Sequence, residues 1–188
     1  MNTRTHTSKL AAAALLCAIG VIIPMYSPLR VILPPAASYT LGVHAPIFIA
    51  MFISPAVAVA VSLGTAAGFL LAGFHLPIVF RALSHVVFAF IGAAIIRKWR
   101  GSRKSLPALI IFSFYIGVIH GVFEVAAVVL FYFAGDPAAM LAEGGFLLSV
   151  VLMIGVGTVA HSMVDFGIAC AVLRPMRRHV RIFAKDAI

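Results

Sequence analysis

The sequence predicts an all-α membrane protein with six transmembrane helices and both termini in the cytoplasm. Hydrophobic residues make up 63% of the 188-residue chain and charged residues only 10%, whereas soluble domains are roughly half apolar and about a quarter charged. Twelve of the 14 Lys and Arg residues lie at three places, namely the N-terminus, one central loop and the C-terminal tail. Because positively charged loops stay on the cytoplasmic side, this spacing indicates both the number of crossings and the orientation.

The predicted helices are divided by Pro, Gly and charged residues. They span residues 10–26, 44–53, 55–74, 76–96, 107–134 and 146–173. The first has the charged start and apolar middle of a signal peptide, but no small-residue cleavage site follows, so we expect a retained helix. The second is shorter than the ~20 residues that cross a bilayer. We expect it to be extended, tilted or tucked among its neighbours, within a single membrane domain over residues 1–188.

The loops follow from this orientation. With the N-terminus inside, loops near 27–42, 73–75 and 135–145 lie outside, and the basic loop 97–104 lies inside. The outer loop 27–40 carries three prolines beside apolar residues, which stiffen it. The sequence fits either a lid that folds over a site or an ordinary stiff connector.

The net charge of +9 does not indicate a nucleic-acid partner. The cations flank apolar spans, where they match the anionic headgroups of a lipid bilayer. Two cysteines lie inside predicted spans without the paired spacing of a metal site or disulfide framework. No phosphate-binding loop is present. We therefore expect no ATP hydrolysis by this chain. We also expect no enzymatic activity and no cofactor of its own.

Ionisable residues inside the predicted spans are the candidates for function, because such residues are costly in a membrane and usually face a cavity or one another. Helices four, five and six each carry one such pair, spaced i, i+4 and therefore on one helical face. The pairs are Arg81 with His85, His120 with Glu124, and His161 with Asp165. Three polar faces on consecutive helices predict a shared polar interior.

Counting ~1.5 Å per residue along the helices gives each pair a depth. Arg81, His85 and Glu124 are predicted to meet near the outer surface. His161 and Asp165 are predicted to lie toward the cytoplasmic side, where we favour a structural role in which each satisfies the other. Arg81 has no carboxylate nearby on its own helix, so it needs an acid from another helix, such as Glu124, or an anionic ligand held by its guanidinium fork.

The chain resembles a known family. The features that it shares with that family are six helices, an outer loop, a basic cytoplasmic side, and Ala14 and Ala18 one turn apart on helix one. The chain is similar to the substrate-binding S-component of an energy-coupling factor (ECF) vitamin transporter. The run SYTLGVHAPIFIAMFISPAVAVAVSLGTAAGFLLAGF from Ser38, followed by RALSHVVFAFIGA from Arg81, most resembles the niacin type. The resemblance covers nearly the whole chain.

This resemblance implies a vitamin site between the first outer loop and helices four to six. It also implies an ECF module of one transmembrane coupling subunit and two ATPases that hydrolyse ATP, in the plasma membrane of a prokaryote. Arg81 would hold the carboxylate of nicotinate. Ala14 and Ala18 would dock onto the coupling subunit. The candidates for the pyridine ring and its nitrogen are His85, His120, Glu124 and Tyr39.

Three alternatives remain open. The chain could be an S-component for another small vitamin or carboxylate. It could be a stand-alone proton-coupled carrier using the ionisable pairs, although no clear internal repeat supports this. It could be an intramembrane metalloenzyme with ligands from the pairs on helices five and six, but no HExxH motif is present. The different depths expected for those pairs also oppose one coordination sphere, so no metal site is expected.

Overall fold

The computed structural model describes residues 3–28, 30–33, 37–99, 105–135 and 145–176, and these are mainly helical. A two-stranded antiparallel hairpin follows the first helix, with Arg30 opposite Thr40. A π-helical segment, Leu147–Val156, leads directly into the last helix. The elements are α1 Thr3–Tyr26, β1 Arg30–Leu33, β2 Ala37–Thr40, α2 Ala45–Met51, α3 Pro55–Leu71, α4 Leu76–Lys98, α5 Leu106–Phe133 and α6 Gly157–Met176.

Four helical spans are long and apolar enough to cross a membrane: His6–Tyr26, Leu76–Lys98, Leu106–Phe133 and Leu147–Met176. The 17-residue helix α3 is apolar but shorter. Helix α2 has only seven residues, all of them buried, and at ~1.5 Å per residue it cannot cross a bilayer alone. It lies among its neighbours, which is one of the arrangements expected from its length. The chain is therefore a multi-pass, all-α membrane protein whose only described strands form the hairpin.

The helix ends agree with the sequence prediction to within a few residues except at the start of α1, and local chemistry explains several of them. The Ser54 and Ser105 hydroxyls accept hydrogen bonds from backbone N–H groups three residues on, and a proline follows in the first turn of each helix. Helix α3 ends at Leu71, three residues before the predicted end. Gly73 has a positive φ of 77°, which ends the helix in the left-handed conformation that glycine favours.

Helix α2 forms the centre of the core. Phe48 is 1% exposed, and its ring centre lies 5.6 Å from that of Phe88 on α4 and 5.4 Å from that of Phe166 on α6. Such aromatic pairs add about 0.5–1.5 kcal/mol each beyond the area that they bury. This packing holds α2 between α4 and α6 and so places the residue before it, His44, inside the protein.

Helix α5 approaches α6 and the π-helical segment before it closely at glycines. A methyl group built on Gly121 would lie 2.7 Å from the carbonyl oxygen of Gly155, and one on Gly117 would lie 3.3 Å from that of Val159. Small residues spaced by four let two helix backbones come together in a membrane. The close approach lets His120 and Glu124 on α5 reach side chains of α6.

The variant Gly121→Ala is expected to lower stability by about 1–3 kcal/mol, the usual cost of adding a methyl group to a packed interior. The measurement is the thermal unfolding midpoint in detergent. Gly167→Ala is the matched control, because a methyl group there meets nothing within 4 Å and brings the same gain in helix propensity. Equal midpoints for the two variants would contradict the close approach of α5 and α6.

Candidate functional site

The carboxylate of Glu124 on α5 lies at the centre of a buried polar cluster. Its Oε2 accepts hydrogen bonds from Arg81 Nη2 at 2.8 Å and from the Thr158 hydroxyl at 2.5 Å. Its Oε1 lies 3.1 Å from Nε2 of His85 and 3.5 Å from Nε2 of His120. The predicted meeting of Arg81 with His85 and Glu124 is confirmed, and the acid that Arg81 needs comes from α5.

A second carboxylate, Asp165 on α6, holds the turn before α2. Its Oδ1 accepts from the Gly42 N–H at 2.6 Å, and its Oδ2 accepts from the His44 N–H at 3.0 Å. The same Oδ2 lies 3.0 Å from Nδ1 of His44 and 3.3 Å from Nε2 of His161. The predicted contact within α6 is present, but Asp165 also ties residues 42 and 44 to α6.

The imidazole of His44 joins the polar pairs of all three helices. Its ring centre lies 4.8 Å from that of His85, 4.6 Å from that of His120 and 5.1 Å from that of His161. The expectation that the α6 pair lies at a separate depth is therefore wrong. Helices α5 and α6 are antiparallel, and His120 Nδ1 lies 3.2 Å from the Ser162 hydroxyl, so His161 is level with His120 rather than below it.

Tyr39 on β2 fastens the hairpin to the π-helical segment. Its hydroxyl donates to the carbonyl oxygen of Met153 within that segment. The ring centre of Tyr39 lies 5.0 Å from that of His161. Burial raises the pKa of Tyr39 above its usual value, which keeps the hydroxyl protonated as a donor. The end of the outer loop, for which the sequence left a lid and a stiff connector open, thus contacts the cluster.

The structure brings all five predicted ligand-binding residues to one place, namely Arg81, His85, His120, Glu124 and Tyr39. Sequence reasoning missed His44, Thr158 and Ser162. A signal was present for each of them. Thr158, Ser162 and Asp165 are spaced i, i+4, i+7 and so share one face of α6, and His44 is the one ionisable residue between positions 41 and 53.

Several polar atoms of this cluster are available to a ligand. Among the described residues, four buried nitrogen atoms have no hydrogen-bond partner, and buried polar groups are ordinarily bonded. The atoms are Arg81 Nε, His85 Nδ1, His120 Nε2 and His161 Nε2. A ligand with a carboxylate and a ring nitrogen offers acceptors for such donors.

The small-residue face of α1 lies outside this cluster. Ala14 and Ala18 are exposed, whereas Ala13, Leu16 and Gly20 on the other side of α1 are buried. Gly20 packs against Thr65 of α3. The face that carries Ala14 and Ala18 is thus directed away from the protein, and its role in docking remains a prediction.

The chain is 37% identical over 170 residues to the niacin transporter NiaX of Lactococcus lactis subsp. cremoris (strain MG1363), and the match covers 89% of this chain and 75% of that protein. This chain belongs to the NiaX family. The match confirms the resemblance to the niacin type and agrees with the prediction of a transport protein rather than an enzyme. No family model and no solved structure matches this chain.

Proposed function

We propose that this chain is the substrate-binding S-component of an ECF-type importer for niacin in a bacterial plasma membrane. Membership in the NiaX family supports the substrate class. The observation that carries the proposal is the Arg81 guanidinium, which lies inside a membrane helix with its side chain 19% exposed. One of its nitrogens is bonded to Glu124, while Nε has no partner among the described residues.

The ligand pose follows from these groups. The free edge of Arg81 would donate to the carboxylate of nicotinate, because a guanidinium fork matches the geometry of a carboxylate. Glu124 would keep the guanidinium in place rather than bind the like-charged ligand. His85, His120 and Tyr39 would line the pyridine ring, where an imidazole N–H suits the ring nitrogen as an acceptor.

The topology and the partners belong to the same proposal. We propose that the chain crosses the membrane six times with both termini in the cytoplasm, because the basic residues then lie inside. Ala14 and Ala18 would dock onto a transmembrane coupling subunit through close helix contact. Two partner ATPases would hydrolyse ATP, since this sequence carries no phosphate-binding loop.

The test is binding of nicotinate by the purified protein in detergent, with nicotinamide as the uncharged control. A buried charge pair that loses one partner costs about 2–5 kcal/mol or more, so nicotinate is expected to bind at least ~30-fold more tightly than nicotinamide. Equal affinities would exclude a carboxylate clamp. If folded, monodisperse protein binds neither compound, the niacin assignment is wrong, and other small carboxylates would be tested next.

A further inference from the structure

We infer that His44, His85, His120 and Glu124 form a binding site for a divalent transition-metal ion. One potential ligand atom from each residue lies within 4.8 Å of the others, and all four residues are buried. Imidazole ligands suit zinc, copper, iron and nickel ions, whose affinities for such sites differ in a known order. The inference goes beyond vitamin binding. It shares His85, His120 and Glu124 with the proposed vitamin site, but its test does not depend on nicotinate binding. It also departs from the sequence-based expectation of no metal.

The distances around Oε1 of Glu124 fit a tetrahedral ion. Ligand atoms bound at ~2.0–2.1 Å in a tetrahedron lie ~3.3–3.4 Å from one another. Oε1 lies 3.1 Å from Nε2 of His85 and 3.5 Å from Nε2 of His120, on either side of that value. His44 would contribute Nε2, because its Nδ1 is bonded to Asp165. The widest separation in the set must shorten by small side-chain rotations as the ligands close on the ion.

The three imidazole rings also converge. Their centres are 4.6, 4.8 and 4.8 Å apart, and their planes are inclined to one another at 80°, 80° and 89°. An imidazole bound at ~2.0–2.1 Å places its ring centre ~3.2 Å from the ion, so angles of ~90–109° at the metal give centres ~4.5–5.2 Å apart. The rings of His44, His85 and His120 therefore form a nearly equilateral triangle of the size that a bound ion requires.

Each of three ligand side chains is already hydrogen-bonded through the atom that would point away from the ion. Histidine ligands of metals almost always donate their other ring N–H to a carboxylate, a carbonyl or water. Nδ1 of His44 lies 3.0 Å from Asp165, and Nδ1 of His120 lies 3.2 Å from the hydroxyl of Ser162. The second oxygen of Glu124 is held by Arg81 and Thr158. Three of the four ligands are thus anchored through the atom that would face away from the ion.

The net charge of the cluster attracts a cation. With neutral imidazoles, the Arg81 cation and the two carboxylates of Glu124 and Asp165 leave one negative charge, and opposite charges attract strongly in a buried site. A divalent ion would change the net charge to one positive charge, so it is the ligand geometry that supports the ion. The ion would also give Nε2 of His120, which is buried without a hydrogen-bond partner among the described residues, a group to bind.

The experiment uses the full-length protein without a polyhistidine tag, purified in detergent and stripped of metal with EDTA. Titration with Co²⁺ is expected to give one equivalent of bound ion with the intense visible absorption of four-coordinate cobalt, which Zn²⁺ then removes. His44→Asn and His120→Asn are expected to lose the absorption. His75→Asn is the matched control, because His75 is exposed at the start of α4. Ser162→Ala should weaken Co²⁺ binding ~10–100-fold, since it removes only the hydrogen bond to Nδ1 of His120.

Two results would overturn the metal site. One is the absence of cobalt absorption in wild-type protein that elutes as a single folded species. The other is absorption of equal strength in wild type, His44→Asn and His120→Asn, which would mark adventitious binding elsewhere. Nicotinate binding by the EDTA-treated protein is measured on the same samples, so the failure of the metal site and the failure of the proposed function give separate results.

Discussion

Replacing Arg81 with Met is expected to abolish detectable nicotinate binding and to lower the thermal stability of the protein. The substitution removes the guanidinium fork and leaves the Glu124 carboxylate, 2% exposed, without its cation. Breaking a buried ion pair by removing one partner costs about 3–5 kcal/mol. The measurements are the nicotinate dissociation constant and the unfolding midpoint, both in detergent.

The double variant Arg81→Met with Glu124→Gln separates these two effects. Removing both charges of a buried pair is often close to neutral for stability, so the unfolding midpoint should recover toward that of the wild type. Nicotinate binding should not recover, because the carboxylate of the ligand still lacks its cation. Unchanged nicotinate affinity in a stable Arg81→Met protein would refute the role of Arg81 as a clamp.

Replacing Asp165 with Ala is expected to be the second most damaging change. The backbone N–H groups of Gly42 and His44 lose their common acceptor, and each buried donor left without a partner costs about 1–3 kcal/mol. The imidazole of His44 loses its bond to Oδ2 as well. Stability should fall by several kcal/mol, and hydrogen exchange should rise at the amides of the turn before α2.

Asp165→Asn is the matched control for this prediction. Its amide keeps one oxygen acceptor, so one of the two N–H groups stays bonded and the loss of stability should be smaller. The measurement is the unfolding midpoint, with hydrogen exchange of residues 41–51 followed by mass spectrometry. If both variants unfold at the same midpoint as the wild type and the hydrogen exchange of residues 41–51 does not rise, Asp165 does not hold the turn.

The sequence predicts most of the helices because the membrane leaves few choices. A span must be long, apolar and internally hydrogen-bonded, and prolines at positions 55, 77 and 107 occupy the first turns of α3, α4 and α5. The partner of Arg81 was predictable for a similar reason. A lone cation in a membrane helix needs an acid, and Glu124 is the one acid on α5.

The rest of the site depends on tertiary contacts that a single sequence does not reveal. Thr158 and Ser162 are ordinary helix residues until their face is known to meet α5. The depth of His161 depends on how α5 and the last helical span are aligned along their axes, which is determined by the close contact of Gly121 with Gly155. Counting residues from the helix ends cannot give this alignment. His44 lies in a turn, and its position is fixed by Asp165 about 120 residues away in the chain.

The π-helical segment Leu147–Val156 has a consequence for the whole of α6. Each of its hydrogen bonds encloses one more residue than in an α-helix, so the chain turns less per residue over these ten positions. If these ten residues formed an α-helix instead, a different face of α6 would be directed toward α5. The direction in which the site residues of α6 face is thus determined by the π-helical segment that precedes them. The hydrogen bond from Tyr39 to the carbonyl oxygen of Met153 holds this segment from outside the helix.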